Sequence, residues 1–136
     1  MNENVKKLTT ALRSGKYKQI KKQLCNEAGY CCLGVACEVF MENGGKLDKK
    51  STDYKAMSFA EVKTGKLEVY KEVTYNGERT ALPFEVMNWL GLKTVTGRFG
   101  DLVEQSLVYM NDNLNMDFNA IADVIEKETE LYEGIF

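Results

Sequence analysis

Four cysteines are the first residues whose chemistry must be weighed. Three fall in one stretch, Tyr30-Cys31-Cys32-Leu33-Gly34-Val35-Ala36-Cys37, and Cys25 precedes it. A thiolate can attack an electrophile or hold a metal, but each role needs company. There is no histidine anywhere in the chain, so a zinc site would have to use all four cysteines, and their spacing contains no C-x2-C pair. The usual Cys–His nucleophilic pair is also impossible. Lysine or a helix N-terminus could still activate a thiol. Free cysteine is nonetheless among the most buried residue types, so the spacing predicts structural thiols, with no metal and no catalytic residue.

The second chemical resource is charge. Residues 1–24 hold seven Lys or Arg against Glu3, a net of +6, and residues 101–136 hold nine Asp or Glu against Lys127, a net of −8. The whole chain is nearly neutral at −2. Two readings follow. The oppositely charged ends attract each other, within one chain or across an oligomer, or the basic segment faces an anion such as a phosphate. Nonspecific DNA binding is disfavoured, because phosphate contacts dominate that affinity and the total is acidic. The candidate phosphate-holding residues are Arg13, Lys16, Lys18, Arg79 and Arg98. Tyr17 and Phe99 stand beside them in sequence, and these two or Tyr30 could stack on a base.

Other motifs fail on inspection. Asn111-Asp112-Asn113-Leu114-Asn115-Met116-Asp117 suggests a calcium loop, but the sixth and twelfth positions hold Met116 and Ala122 where glycine and glutamate are required. Gly97-Arg98-Phe99-Gly100 lacks the strand–loop–helix pattern and the Lys-Ser/Thr signature of a phosphate loop. Carboxylate pairs such as Asp101 with Glu104 have the spacing of ordinary surface acids. After Phe118–Ile125 the sequence turns acidic, which removes a DNA-reading helix.

The elements that must position these residues can be read in order. Residues 3–14 repeat Val5, Leu8 and Leu12 at helical spacing, with Asn2 as cap and Gly15 as stop. Lys16–Leu24 reads as an extended strand or irregular edge, and Asn26–Gly29 as a turn. Leu33, Ala36, Val39 and Phe40 trace a helix buried over most of its circumference and ended by Asn43-Gly44-Gly45. Gly34 within it costs about 1 kcal/mol relative to Ala, which implies close approach by another element or a helix that starts one turn later. Residues 46–58 read as a polar connection, and Phe59–Val62 as a strand with its turn at Thr64-Gly65. Leu67–Tyr75 alternates as a strand, Asn76-Gly77 is a strong hairpin turn, and Glu78–Leu82 is the expected return strand. Pro83 opens a short helix bearing Phe84, Met87, Trp89 and Leu90, closed by Gly91. Leu102–Met110 reads as helical, with a strand at Ser106–Met110 as the alternative, Asn111–Asn115 as a loop, and Asp117 caps a last helix with the stripe Phe118, Ile121, Ala122 and Ile125.

The expected fold is therefore α+β, a single domain over 1–136, with a small antiparallel sheet and β-hairpin packed against four or five helices. The expected core is Leu8, Leu12, Leu33, Val35, Ala36, Val39, Phe40, Val69, Val73, Trp89, Leu90, Leu107, Ile121 and Ile125. No apolar run approaches the roughly 20 residues of a membrane span, and the N-terminus lacks signal-peptide order. A cytoplasmic protein is expected.

Five separated blocks together resemble a widespread family of small proteins encoded by tailed phages and prophages. They are Ala11–Gln19, Tyr30–Cys37, Leu82-Pro83 with Trp89–Leu92, Leu107 with Asn111-Asp112, and Phe118 with Ile121–Asp123 and Ile125-Glu126. The resemblance implies a protein made inside an infected bacterium. By analogy with oligomeric sponges of similar size, it implies a non-catalytic homo-oligomer that sequesters a nucleotide-derived defence signal, such as a cyclic dinucleotide or a cyclic ADP-ribose isomer, without a cofactor. Two alternatives are an adaptor whose acidic end, Glu126, Glu128, Glu130 and Glu133, meets a basic host protein, and a small hydrolase.

Overall fold

In the computed structural model, residues 2–56 and 68–133 are described. Helix α1 spans Glu3–Arg13, started by the Asn2 carboxamide oxygen, which accepts from the Val5 amide at 2.8 Å. Val5, Leu8, Thr9 and Leu12 form its buried face. Its start is tied to a distant helix end: the Asn2 and Asn4 side-chain amides donate to the carbonyls of Leu90 and Trp89.

A short hairpin, β1 (Cys25–Asn26) and β2 (Gly29–Tyr30), leads into α2, Cys32–Glu42. Seven of the eight residues from Cys32 to Val39 are buried, Glu38 being the exception. This helix is the hub of the fold, touching α1, β2, α3 (Phe84–Leu90) and α4 (Leu107–Asp112). Gly34 is explained by that crowding. A Cβ there would overlap the Leu24 carbonyl oxygen, so the close approach inferred from sequence is present and the helix starts where its apolar run does. The Leu24 carbonyl also accepts from the Cys31 amide at 3.1 Å.

Helix α5, Phe118–Lys127, is capped by Asp117, whose carboxylate accepts from the Ala120 amide at 2.8 Å. It buries Phe118, Ile121, Ala122 and Ile125 against α1 and α4. A 3-10 turn at Thr129–Leu131 then buries Leu131 completely.

The sheet differs from expectation. Residues 46–58 are not simply a polar connection: Lys49–Ala56 forms β3, antiparallel to β4 (Glu68–Tyr75), in register from Lys49 opposite Tyr75 to Ala56 opposite Glu68. Asn76-Gly77 does make a tight left-handed turn, φ 54° and 83°. Its return is a single bridge, Tyr75 with Glu78, rather than a strand to Leu82. The β4 hydrogen bonds are satisfied by β3 instead. The result is two two-stranded antiparallel sheets and five helices among the described residues, an α+β fold. The strand expected at Phe59–Val62 lies outside the described residues, as does the side chain of Val69.

Two helical expectations need correction. Leu102 and Val103 lie in a loop, 58% and 70% exposed, and α4 begins only at Leu107. It continues through Asn111 and Asp112, which composition assigns to a loop. Phe84 is 69% exposed on α3, where Val86 and Leu90 are the buried residues. Phe40 and Trp89 are half-buried and meet edge-to-face, ring centroids 5.5 Å apart. The other described residues of the expected core are buried, joined by Leu24, Tyr75, Leu82, Val86, Leu92 and Leu131.

Candidate ligand groove

Helix α1 stops at Ser14, and Gly15 at φ 76° turns the chain back across the C-terminal end of α2. The turn is held by the Ser14 hydroxyl, which donates to the Ala11 carbonyl at 2.6 Å and accepts from the Lys16 amide at 3.1 Å. This geometry brings Lys16 and Tyr17 to Glu42 in the last turn of α2. Both the Lys16 ammonium (3.1 Å) and the Tyr17 hydroxyl (2.9 Å) donate to Glu42 Oε1.

Between these residues and α1 lies a groove of about 470 Å³. Lys6, Lys7, Thr10, Ser14, Lys16, Tyr17 and Asn43 supply its polar walls together with the carboxylates of Glu3 and Glu42, and Ala11 and Val39 its apolar part. Lys6 and Lys7 have no ion pair among the described residues. The hydrogen bond to Glu42 raises the Lys16 pKa, and the bonds from Lys16 and then Tyr17 lower that of Glu42. Tyr17 is raised, first by partial burial and then by its bond to Glu42. All three groups therefore keep their neutral-pH charge: ammonium, carboxylate and protonated phenol. The groove offers lysine ammonium groups to an anion, while Glu3 and Glu42 offset part of that charge and Glu42 already holds the Tyr17 hydroxyl proton.

The eight residues singled out in the sequence separate into distinct places. Lys16 and Tyr17 line the groove. Tyr30 packs edge-to-face on Tyr17, centroids 5.2 Å apart, with the Lys49 ammonium 5.7 Å from its own ring centre. Lys18 is exposed, and its carbonyl accepts from the Tyr30 amide at 2.8 Å. Arg13 is committed elsewhere. Its guanidinium lies 2.7 Å from Asp123 and 2.6 Å from Glu126, clamping α1 to α5. Its pKa is raised, chiefly by the bond to Glu126. Arg79 pairs with Glu72 at 3.5 Å. Arg98 donates to the carbonyls of Gly100 and Asp101, and half-buried Phe99 packs on the core. None of Arg13, Arg79, Arg98 and Phe99 lines the groove.

Lys6, Lys7, Thr10, Glu3 and Glu42 also line it and were not singled out. The signal for the first three was present, since the polar face of α1 is basic at helical spacing. Nothing local marks Glu42. The acidic end is partly neutralised within the chain: Glu126 holds Arg13 and accepts from the Thr9 hydroxyl, and Glu130 pairs with Lys93 at 3.3 Å.

All four cysteines are free and buried. Burial is the largest cause of the raised pKa of each thiol, and Cys31 is pushed up to about 11. They are thiols at neutral pH and do not open onto the groove. No cluster of three or more potential metal ligands occurs among the described residues, and no helix there is long and apolar enough to cross a membrane.

A family model described as a domain of unknown function, DUF8296, matches residues 1–129. No curated protein and no solved structure matches the chain.

Proposed function

We propose that this chain, which belongs to the DUF8296 family of domains of unknown function, is a non-catalytic binding module for a small anionic ligand of the nucleotide class. The observation that carries the reading is the groove between α1 and α2. Its volume of about 470 Å³ suits a small molecule, for which pockets of roughly 300–1,000 Å³ are typical. Three lysines against two carboxylates, Glu3 and Glu42, leave its walls net positive, which favours phosphate, and its apolar part favours a ring. The buried, protonated thiols and the lack of histidine favour capture over turnover. On the resemblance to small phage and prophage proteins, we read the ligand as a nucleotide-derived host signal that the protein sequesters in the cytoplasm of an infected bacterium.

The test is a release experiment. The purified protein is incubated with cyclic dinucleotides, cyclic trinucleotides and cyclic ADP-ribose isomers, freed of unbound ligand, heat-denatured, and its supernatant resolved by HPLC. Recovery of an intact nucleotide only after denaturation is expected. A new product peak would make the protein an enzyme, and retention of no nucleotide would remove the reading.

A further inference from the structure

The α1–α2 groove is not electrically uniform along its length. Its α1 wall runs from Glu3, Lys6 and Lys7 through Thr10 and Ala11 to Ser14, and Lys16 and Tyr17 follow at the turn. At a rise of about 1.5 Å per residue, Lys7 and Ser14 lie roughly 10 Å apart along the axis. The groove is therefore long enough for its two ends to hold different parts of one ligand.

The ends differ in charge. At the first, Lys6 and Lys7 stand against Glu3, a net of +1. None of these three makes an ion pair among the described residues. At the second, Lys16 is held by Glu42 at 3.1 Å, a net of zero. Helices α1 and α2 both terminate at this second end, at Arg13 and Glu42, and the carbonyl dipoles of a helix C-terminus carry partial negative charge. Arg13 does not offset it, because its guanidinium is committed to Asp123 and Glu126. An anion gains at Lys6 and Lys7 and is repelled at Glu42.

On the nucleotide reading of this groove, on which the assignment rests, we infer that the ligand lies in one orientation, with its phosphates at Lys6 and Lys7 and its uncharged nucleoside at Tyr17, Val39 and Asn43. The exposed Thr10 hydroxyl adds a donor to the phosphate end, one turn on from Lys6 and Lys7. At the nucleoside end Val39 gives apolar surface, and the Asn43 side-chain amide donates to the Val39 carbonyl at 2.8 Å, which leaves its Oδ1 to accept from a ring N–H or a sugar hydroxyl. The ligand class is thereby a nucleotide whose phosphates are grouped at one end of the molecule.

Heteronuclear NMR of the full chain, with the two halves of such a ligand as separate probes, tests this. Inorganic pyrophosphate at millimolar concentration is expected to shift the amide resonances of Lys6, Lys7 and Thr10, and adenosine or guanosine those of Tyr17, Val39 and Asn43. Lys6→Gln with Lys7→Gln, both on the exposed face of α1, is expected to weaken pyrophosphate binding roughly tenfold. Lys16→Gln with Glu42→Gln keeps the net charge of its end at zero, and is expected to weaken pyrophosphate less than the first pair does and the nucleosides more. Pyrophosphate shifts centred on Lys16 and Glu42, the reverse ranking of the two variants, or silence with pyrophosphate or with both nucleosides overturns the orientation. A chain that fails in this way and still releases an intact nucleotide on denaturation keeps the proposed function; one that retains no nucleotide loses that function whatever the probes map.

Discussion

Asn111 caps the helix that begins at Cys32: its Oδ1 lies 3.2 Å from the Cys32 amide nitrogen, across 79 residues of chain. The same oxygen accepts from Gln19 Nε2 at 2.9 Å, and the Nδ2 group donates to the Ile20 carbonyl and to Asp112. Asn111 is buried at 1% exposure and makes four hydrogen bonds, so both donors and both acceptor sites are used. It locks the hub helix, the irregular segment after α1 and helix α4 into one arrangement.

Replacing Asn111 by Ala strands the Cys32 amide and the Ile20 carbonyl inside the protein. Each unsatisfied buried group costs roughly 1–3 kcal/mol, so a loss of about 3 kcal/mol is expected in urea unfolding. A loss below about 0.5 kcal/mol, the range of an ordinary surface substitution, would show that the network contributes nothing to stability.

Gly34→Ala reverses a familiar sign. In an exposed helix interior this change stabilises by about 1 kcal/mol. Here the new methyl group meets the Leu24 carbonyl, a backbone atom that cannot rotate away. Destabilisation of more than about 2 kcal/mol is expected, the scale of overpacking a tight core. Thermal melts of the variant and wild type decide the sign directly.

The Arg13 clamp makes stability depend on acid. Arg13 lowers the folded-state pKa of Glu126 below its ordinary 4.5. The contribution is therefore fully present above pH 4.5 and is lost as pH falls through the folded value. Because Arg13 and Glu126 are about a third exposed, solvent screening holds the effect to about 1 kcal/mol or less. Arg13→Met is expected to flatten the stability profile on the acid side of pH 4.5 and to leave its slope above that value unchanged. An unaltered acid limb would mean that the pair contributes nothing.

Thiol reactivity reports burial. All four cysteines are buried, with raised pKa values. A disulfide reagent at mildly alkaline pH should modify the native protein far more slowly than the unfolded chain, which exposes four thiols. Rapid labelling of one cysteine under native conditions would identify a reactive site that the fold does not predict.

Ligand capture should follow the α1–α2 groove and not the more distant arginines. Lys7→Glu with Lys16→Glu is expected to weaken nucleotide affinity at least tenfold, about 1.4 kcal/mol, and to reduce its salt dependence. Arg98→Gln should leave affinity unchanged. Titration calorimetry on both variants separates them; the opposite ranking would move the site to the Arg98 loop.

What the amino-acid sequence determined by itself is the set of features completed within a few residues. The stripe Val5, Leu8, Leu12, the caps Asn2 and Asp117, the stops at Gly15 and Gly91, and the turn at Asn76-Gly77 all stand where their local pattern puts them. Each is closed by hydrogen bonds spanning about one helical turn or less, so the information is adjacent in the chain. The charge asymmetry was legible too, and part of it resolves as the contact of Arg13 with Asp123 and Glu126. The tertiary structure decided the rest. Lys49–Ala56 has no apolar alternation and becomes a strand only because β4 supplies its backbone partners. Asn111 has the composition of a loop residue, yet it is buried because two distant segments, Gln19-Ile20 and the start of α2 at Cys32, converge on it. Lys16 and Tyr17 were visible as candidates, but Glu42, which fixes them, comes from the far end of another helix. Periodicity and capping are short-range and can be read along the chain. Pairing, burial of polar groups and the walls of a groove depend on which distant residues are brought within about 3 Å, and only the folded packing sets that.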